Sequence, residues 1–222
     1  MAYVPQPRIK AFAYYLPFPF TVATLSLGRD IDASNVLGLV ILNVYIHGVR
    51  LLHRELHVPI VVSIALAAAG YSVIGYLLAP VVPSGDVPFW LALTGVALLA
   101  GVLYRRLPHR EELGHRTALP VWVKLPIVAA VVILLVVVKQ HLGGFMTLFP
   151  MVGVVGAYEA RYSLWALARQ LPTWMLAMIP FLAVVRLSQG WLGLGGALAL
   201  GWVVFLAALG PLTRRQWRRR TA

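Results

Sequence analysis

The chain has 222 residues, 60% hydrophobic and 12% charged, with 19 Lys and Arg against 7 Asp and Glu, a formal net charge of +12 and no cysteine. Soluble domains carry about 25% charged residues, so this composition, with a mean hydropathy of +0.83, describes an integral membrane protein and excludes a water-soluble enzyme, a disordered tail or a nucleic-acid-binding domain. The lack of cysteine also excludes a disulfide framework, a thiolate nucleophile and any Cys-based metal site.

Met1 to Tyr15 holds Arg8 and Lys10 but no small-residue cleavage site after an apolar block, so no removable signal peptide is expected. A crossing of a hydrocarbon core roughly 30 Å thick needs about 20 apolar residues. Runs closed by Gly, Pro or charge predict eight crossings, at 9–28, 35–52, 59–80, 87–104, 121–139, 145–168, 172–188 and 191–211. The second and seventh are short and need tilt or flanking polar residues. Six or seven crossings is the rival count.

Lys and Arg gather in cytoplasmic loops. In the eight-crossing reading, Arg8, Lys10, Arg50, Arg54, Arg105, Arg106, Arg110, Arg116, Lys124, Arg169 and the Arg214–Arg220 cluster share one side. Arg29, Lys139 and Arg186 fall on the other, and Arg161 lies within a crossing. Both termini are therefore expected in the cytoplasm. The basic tail with Trp217 suits anionic lipid headgroups at the interface, with no need for nucleic acid.

The stretch from Lys10 through Glu55 to Pro59 runs about as long as that from Lys124 through Arg169 to Pro172, and each precedes two more crossings that close on a basic pair, Arg105-Arg106 or Arg214-Arg215. The expected architecture is thus an all-α polytopic bundle of two tandem four-helix units, 1–108 and 124–213, with a cytoplasmic linker at 109–123 and a tail at 214–222. An even number of crossings per unit gives both halves one orientation and a pseudo-twofold axis along the membrane normal.

The stretch Leu142-Gly143-Gly144-Phe145-Met146-Thr147-Leu148-Phe149-Pro150, the continuation to Leu171-Pro172, and Trp174 with Ile179-Pro180-Phe181 resemble the GlpM-like family of small four-span bacterial inner-membrane proteins. The resemblance covers about residues 124–212, with the first half a divergent tandem copy that matches through Ile9-Lys10-Ala11 and helix order but lacks the Phe-Pro lead-in before its second crossing. It implies a multi-pass protein of the bacterial cytoplasmic membrane, associated with envelope polysaccharide export. It supplies no catalytic residues.

An ionisable group at mid-bilayer costs at least about 2.5–3.5 kcal/mol and needs a partner or a wet cavity. Glu159 and Arg161 fall in the predicted sixth crossing, about 12–15 Å inside the cytoplasmic boundary at 1.5 Å per residue. Two positions apart, they project from different faces of a helix. Asn43, His47, Arg50 and Arg54 form a stripe on the second crossing at i, i+4, i+7, i+11 spacing, a candidate partner for both. One reading is a polar pathway or binding site between the halves, with Glu159 and His47 carrying protons and Arg161 contacting an anion. The other is an interhelical hydrogen-bonded lock with Arg161 snorkelling.

Lys139 and Arg186, among Arg29, Asp30, Asp32, Gln140, His141, Ser188 and Gln189 at the opposite face, are candidates for a vestibule attracting an anionic solute or headgroup. The competing reading is interfacial anchoring, with Arg29 paired to Asp30 or Asp32. Pro17, Pro19, Pro150 and Pro180 interrupt predicted crossings, and Gly193, Ala197 and Gly201 form a small-residue packing ridge. No cofactor or metal site is expected. In His53-Arg54-Glu55-Leu56-His57 the order required by zinc proteases is absent.

These features predict a transporter or flippase for a polar, anionic or lipid-linked envelope metabolite. Alternatives are a non-catalytic accessory subunit of an export complex, or an intramembrane lipid-modifying transferase or cyclase using Glu159 as acid or base. Expected partners are membrane lipids and the small substrate. A homodimer and a larger envelope complex are both left open.

Overall fold

The computed structural model describes residues 16–107 and 142–218. Every regular element among them is helical. The elements are α1 (Phe18–Leu27), α2 (Ala33–Arg50) continued by a π-turn (Leu51–Glu55), α3 (Ile60–Leu78), α4 (Asp86–Arg106), a 3-10 segment (Gly143–Leu148), α5 (Met151–Glu159) and α6 (Leu164–Arg218). Four stretches are long and apolar enough to cross a membrane: Ala33–Glu55, Ile60–Leu78, Asp86–Arg106 and Leu164–Leu212. The chain is therefore a multi-pass membrane protein. Rows of exposed Val and Leu on α3 and α4, among them Val61, Leu66, Val73, Leu91 and Leu98, would be costly in water and suit acyl chains.

Helix ends follow local chemistry. Pro17 precedes α1, Pro19 sits in its first turn, and Gly28 closes it at φ +62 with its N–H on the Thr24 carbonyl. Asp32 and Asn35 form a reciprocal capping box at the start of α2. At the other end of α2 the π-turn closes on His57 at φ +54, a conformation that His tolerates better than most side chains. We call the end of the bundle carrying Arg50, Arg54, Arg105 and Arg106 the basic face.

The last element corrects two predicted boundaries. The expected seventh and eighth crossings, 172–188 and 191–211, belong to one continuous run that starts at Leu164 and is non-helical only at Gly193, φ +67 and ψ +167. That backbone region is open essentially to glycine alone. Phe181 and Phe205 would be about 36 Å apart on a straight helix at 1.5 Å per residue. Their ring centroids lie 6.2 Å apart, edge to face. The run therefore folds back on itself at Gly193 into two antiparallel arms, 164–192 and 194–218. Ala197 and Gly201 of the small-residue ridge do pack against the first arm, since a Cβ on Gly201 would come within 2.7 Å of Val185 Cγ2. Gly193 is the reversal point instead.

The expected sixth crossing, 145–168, is also corrected. No continuous helix covers it. A 3-10 segment of 6 residues, the Phe149-Pro150 break and a 9-residue helix replace it, and a turn at 160–163 ends it before α6 begins. Pro150 explains the break, because it has no N–H to donate and its ring crowds the preceding turn. The expected first crossing, 9–28, is described only from residue 16, where α1 contributes 10 helical residues. The fifth, 121–139, lies outside the described residues.

α2 is the central element, buried around most of its circumference. One core joins its Val36 and Leu39 to Phe20 of α1, Phe89 and Val96 of α4 and Phe181 and Phe205 of α6. A second joins Ile41, Tyr45 and Val49 to Ile64 and Tyr71 of α3, Phe145 and Phe149 of the broken segment and Leu164 of α6. Burial of this kind fixes the relative heights of the elements.

Candidate functional site

The segment Gly143–Glu159 runs beside α2 in the same direction. At the top, the Asn35 side chain accepts from Asp32 N at 2.8 Å and donates to Thr147 Oγ1 at 3.0 Å and the Gly144 carbonyl at 3.3 Å, so one amide both caps α2 and docks the 3-10 turn. Gly144 is required there, because a Cβ would lie 2.2 Å from Ser34 Oγ. Leu148 packs on Gly38, and Gly153 lies against Tyr45 and Ile46. On the far side Tyr71 Oη donates to the Phe145 carbonyl at 2.8 Å, supplying a partner to backbone that a 3-10 turn would leave unsatisfied. At the bottom, Arg54 Nη2 donates to the Tyr162 carbonyl at 2.6 Å. The segment therefore runs beside α2 along its full length as an interrupted helix.

Two openings adjoin it. At the end opposite the basic face, a vestibule of about 540 Å³ is lined by Arg29, Asp32, Ser34, Tyr76, Ser84 and Gly144, among others. At the break, an apolar cavity of about 290 Å³ is walled by Phe18, Phe20, Ile46, Phe149, Pro150 and Trp174, with Thr147 and Gln170 as its polar groups. The 3-10 turn borders the first opening with Gly143 and Gly144, and the second with Thr147 and Leu148.

Glu159 and Arg161 do not lie within a long helix. Glu159 closes α5 and Arg161 sits in the 160–163 turn that follows it, where Arg54 of the basic face bonds the Tyr162 carbonyl. Arg161 stacks on the rings of Tyr158 and Tyr162 at 5.0 and 4.8 Å and donates to the Tyr158 carbonyl. The sequence reading carried the sixth crossing on to Arg169, whereas α6 begins at Leu164, eight residues before the predicted start of the next helix. Ser163 is the signal that reveals it: its N–H bonds back to Ala160 and its carbonyl starts α6 through Leu167 N.

The α2 stripe faces the first arm of α6. Asn43 is buried, with Nδ2 3.6 Å from Met175 Sδ. His47, one turn on, is half-buried. Arg50 lies over the Trp165 ring at 5.0 Å and bonds Glu55 at 3.4 Å, while its Nε is buried with no hydrogen-bond partner. Asn43 and His47 are thus within the bundle, whereas Arg54, Glu159 and Arg161 gather at its end.

At the opposite face Arg186 is a tie between elements. Its Nη1 donates to the Ile31 carbonyl at 2.7 Å, its Nε and Nη2 bond Asp86 Oδ1 at 3.0 and 2.8 Å, and its guanidinium lies 5.7 Å from the centre of the Phe89 ring. Gln189 Oε1 accepts from Ile31 N at 2.9 Å. Arg186 therefore joins the α1–α2 loop to the start of α4, and Arg29, not Arg186, lines the vestibule. Lys139 lies outside the described residues. Asn35, Thr147 and Asp86 were not among the candidate site residues, whereas Gln189 was placed in the opposite-face cluster without its partner Ile31. The Asp32-x-x-Asn35 spacing signalled the cap, but nothing in the sequence signalled its second use. No family model, curated protein or solved structure matches the chain.

Proposed function

We propose that the chain is a small transporter or flippase that moves a polar, anionic or lipid-linked envelope metabolite along the broken crossing. One observation carries this reading. The same interrupted segment borders a polar vestibule at its Gly143-Gly144 end and an apolar cavity at its Phe149-Pro150 break. A headgroup and a hydrocarbon chain need these two environments side by side. Interrupted helices at such depth are tolerated where they line a cavity or are buried in protein.

The finer architecture belongs to the same proposal: eight crossings as two tandem four-helix units with both termini in the cytoplasm. Contacts between α2 and the 143–162 segment keep a separation of 108–112 positions from end to end, so the two run parallel, as two tandem units of one orientation require. Membership of a GlpM-like family, and with it placement in the bacterial inner membrane, is an extension of this reading. Its support is that the Gly-Gly and Leu-Phe-Pro elements of the resemblance form the two ends of the 3-10 half of the crossing.

The test is translocation of a fluorescent anionic phospholipid in vesicles containing the purified full chain, followed by quenching from outside. Pro150→Ala restores a backbone donor and lets the helix continue through the break. The rate is expected to fall toward the protein-free value with elution unchanged. An unaltered rate, or no translocation by the unmodified chain with any anionic lipid tried, would end the proposal.

A further inference from the structure

The vestibule opposite the basic face contains an arginine that the fold leaves unused. Arg29 lines it, is exposed, and among the described residues is engaged by no hydrogen bond, ion pair or ring. The pairing with Asp30 or Asp32 that the loop sequence suggested is not formed. Arg29 Nη1 lies 3.9 Å from where a Cβ on Gly143 would be, and Ser34 Oγ lies 2.2 Å from the corresponding position on Gly144. Two adjacent glycines thus leave one side-chain-free floor between the guanidinium and the Ser34–Asp32 pair.

The two opposite charges of this lining are not equally available. Asp32 Oδ1 accepts from both the backbone N–H and the hydroxyl of Ser34, and the carboxylate sits at the N-terminus of α2, where the helix dipole offsets negative charge. Arg29 has no such compensation. The uncompensated charge of the vestibule is therefore one guanidinium, whose planar fork matches an anion such as phosphate. Asp32 Oδ2 accepts nothing among the described residues and calls for a donor. The other polar side chains of the lining, Ser34, Tyr76 and Ser84, are all hydroxyls. One free cation, one spare carboxylate oxygen and a hydroxyl-bearing wall select an anion that itself carries hydroxyl groups. The apolar cavity bordered by the other end of the same 3-10 turn suits a hydrocarbon chain, and the anion that joins such a chain to a hydroxylated headgroup is a phosphodiester.

We propose that Arg29 and Asp32 form the recognition pair of the vestibule for a hydroxylated phosphate ester of the phosphoglycerol type, with Arg29 on the phosphate and Asp32 Oδ2 accepting a ligand hydroxyl. The inference rests on the transport reading only in taking the vestibule as the place of the headgroup. Equilibrium binding tests it, so a chain that binds with this preference but moves no lipid would end the transport reading and leave the site standing. A chain that moves lipid without the preference would do the reverse.

The experiment uses the purified full chain and measures affinity for acyl-labelled fluorescent phosphatidylglycerol, phosphatidylmethanol and phosphatidylethanolamine. Phosphatidylmethanol carries the same phosphodiester charge with no hydroxyl and should bind about fivefold more weakly than phosphatidylglycerol, the scale of one hydrogen bond. Arg29→Gln should weaken both anionic lipids about fivefold. Asp32→Asn keeps a capping side chain but replaces Oδ2 by an NH2 that cannot accept. It should abolish the preference for phosphatidylglycerol without weakening phosphatidylmethanol. Asp30→Asn, outside the lining, and Arg105→Gln, on the basic face, should change neither. Glycerol 3-phosphate is the probe for a soluble source: displacement of the lipid by it assigns the site to the free ester, resistance assigns it to the lipid, and both keep the recognition pair. Equal binding of phosphatidylglycerol and phosphatidylmethanol by the unmodified chain, a comparison that needs no variant to fold, would overturn the proposal. So would tighter binding of phosphatidylethanolamine, which would make the ligand a zwitterion, or a loss at Arg105 equal to that at Arg29, which would reduce the site to surface charge.

Discussion

Arg54 Nη2 bonds the backbone carbonyl of Tyr162 at 2.6 Å across 108 positions of sequence. That one contact sets the height of the whole 160–163 turn, and with it Glu159 and Arg161, at the end of the bundle. A cysteine placed at Tyr162, which is exposed, should react with a membrane-impermeant maleimide from the same side as one placed at Arg54. The chain has no native cysteine to interfere. Protection of position 162 from both sides would return the turn to mid-bilayer.

The fold-back at Gly193 predicts a cross-link. Positions 185 and 201 would be about 24 Å apart on a straight helix, yet a Cβ at 201 comes within 2.7 Å of the Val185 side chain. The double variant Val185→Cys, Gly201→Cys should form an intramolecular disulfide on mild oxidation, seen as a mobility shift reversed by reductant. Gly193→Ala should cost about 1–3 kcal/mol, although nothing lies within 4 Å of its position, because its backbone conformation excludes side chains.

Two glycines give opposite expectations. Gly144→Ala drives a methyl group into Ser34 and Asn35 and separates the cap of α2 from the 3-10 turn. A loss of about 2–4 kcal/mol is expected from the overlap and the lost hydrogen bonds. Gly70→Ala, within α3 and open on all sides, should be neutral or stabilise by up to about 1 kcal/mol. Thermal unfolding in detergent compares the pair directly, and a similar shift for both would contradict the docking geometry.

The Arg186 tie is asymmetric. Asp86 is 76% exposed and Arg186 17% exposed. Asp86→Asn should change stability by less than about 1 kcal/mol, as exposed ion pairs do. Arg186→Ala leaves the Ile31 carbonyl only the longer 3.4 Å bond from Gln189 Nε2 and uncovers Phe89, and should cost about 1–3 kcal/mol. Equal effects would mean that the ion pair, and not the backbone bond, holds the loop.

Residue order conveyed the apolar helices and which of their ends are basic, because lipid imposes a minimum length on a crossing and positive charge marks a side. α2, α3 and α4 lie within a few residues of their expected limits. It did not convey the interior of 142–163. Leu148-Phe149-Pro150 and Glu159-Ala160-Arg161 read equally well as parts of one long helix, and the difference lies in partners distant in sequence: Asn35 and Tyr71 for the 3-10 turn, Arg54 for the last turn. Arg186 was legible as unusual. Its partner Asp86, 100 positions away, was not.

The two arms of α6 meet at a single glycine, with no polar loop between them. During biosynthesis the first arm therefore has no hydrophilic stretch at which to pause, and the pair must enter lipid together as one helical hairpin. Positions 190–196 are consequently the wrong place for an epitope tag or a protease site, and a chain truncated there would leave a half-inserted arm whose Phe181 and Val185 had lost the surface they fold onto.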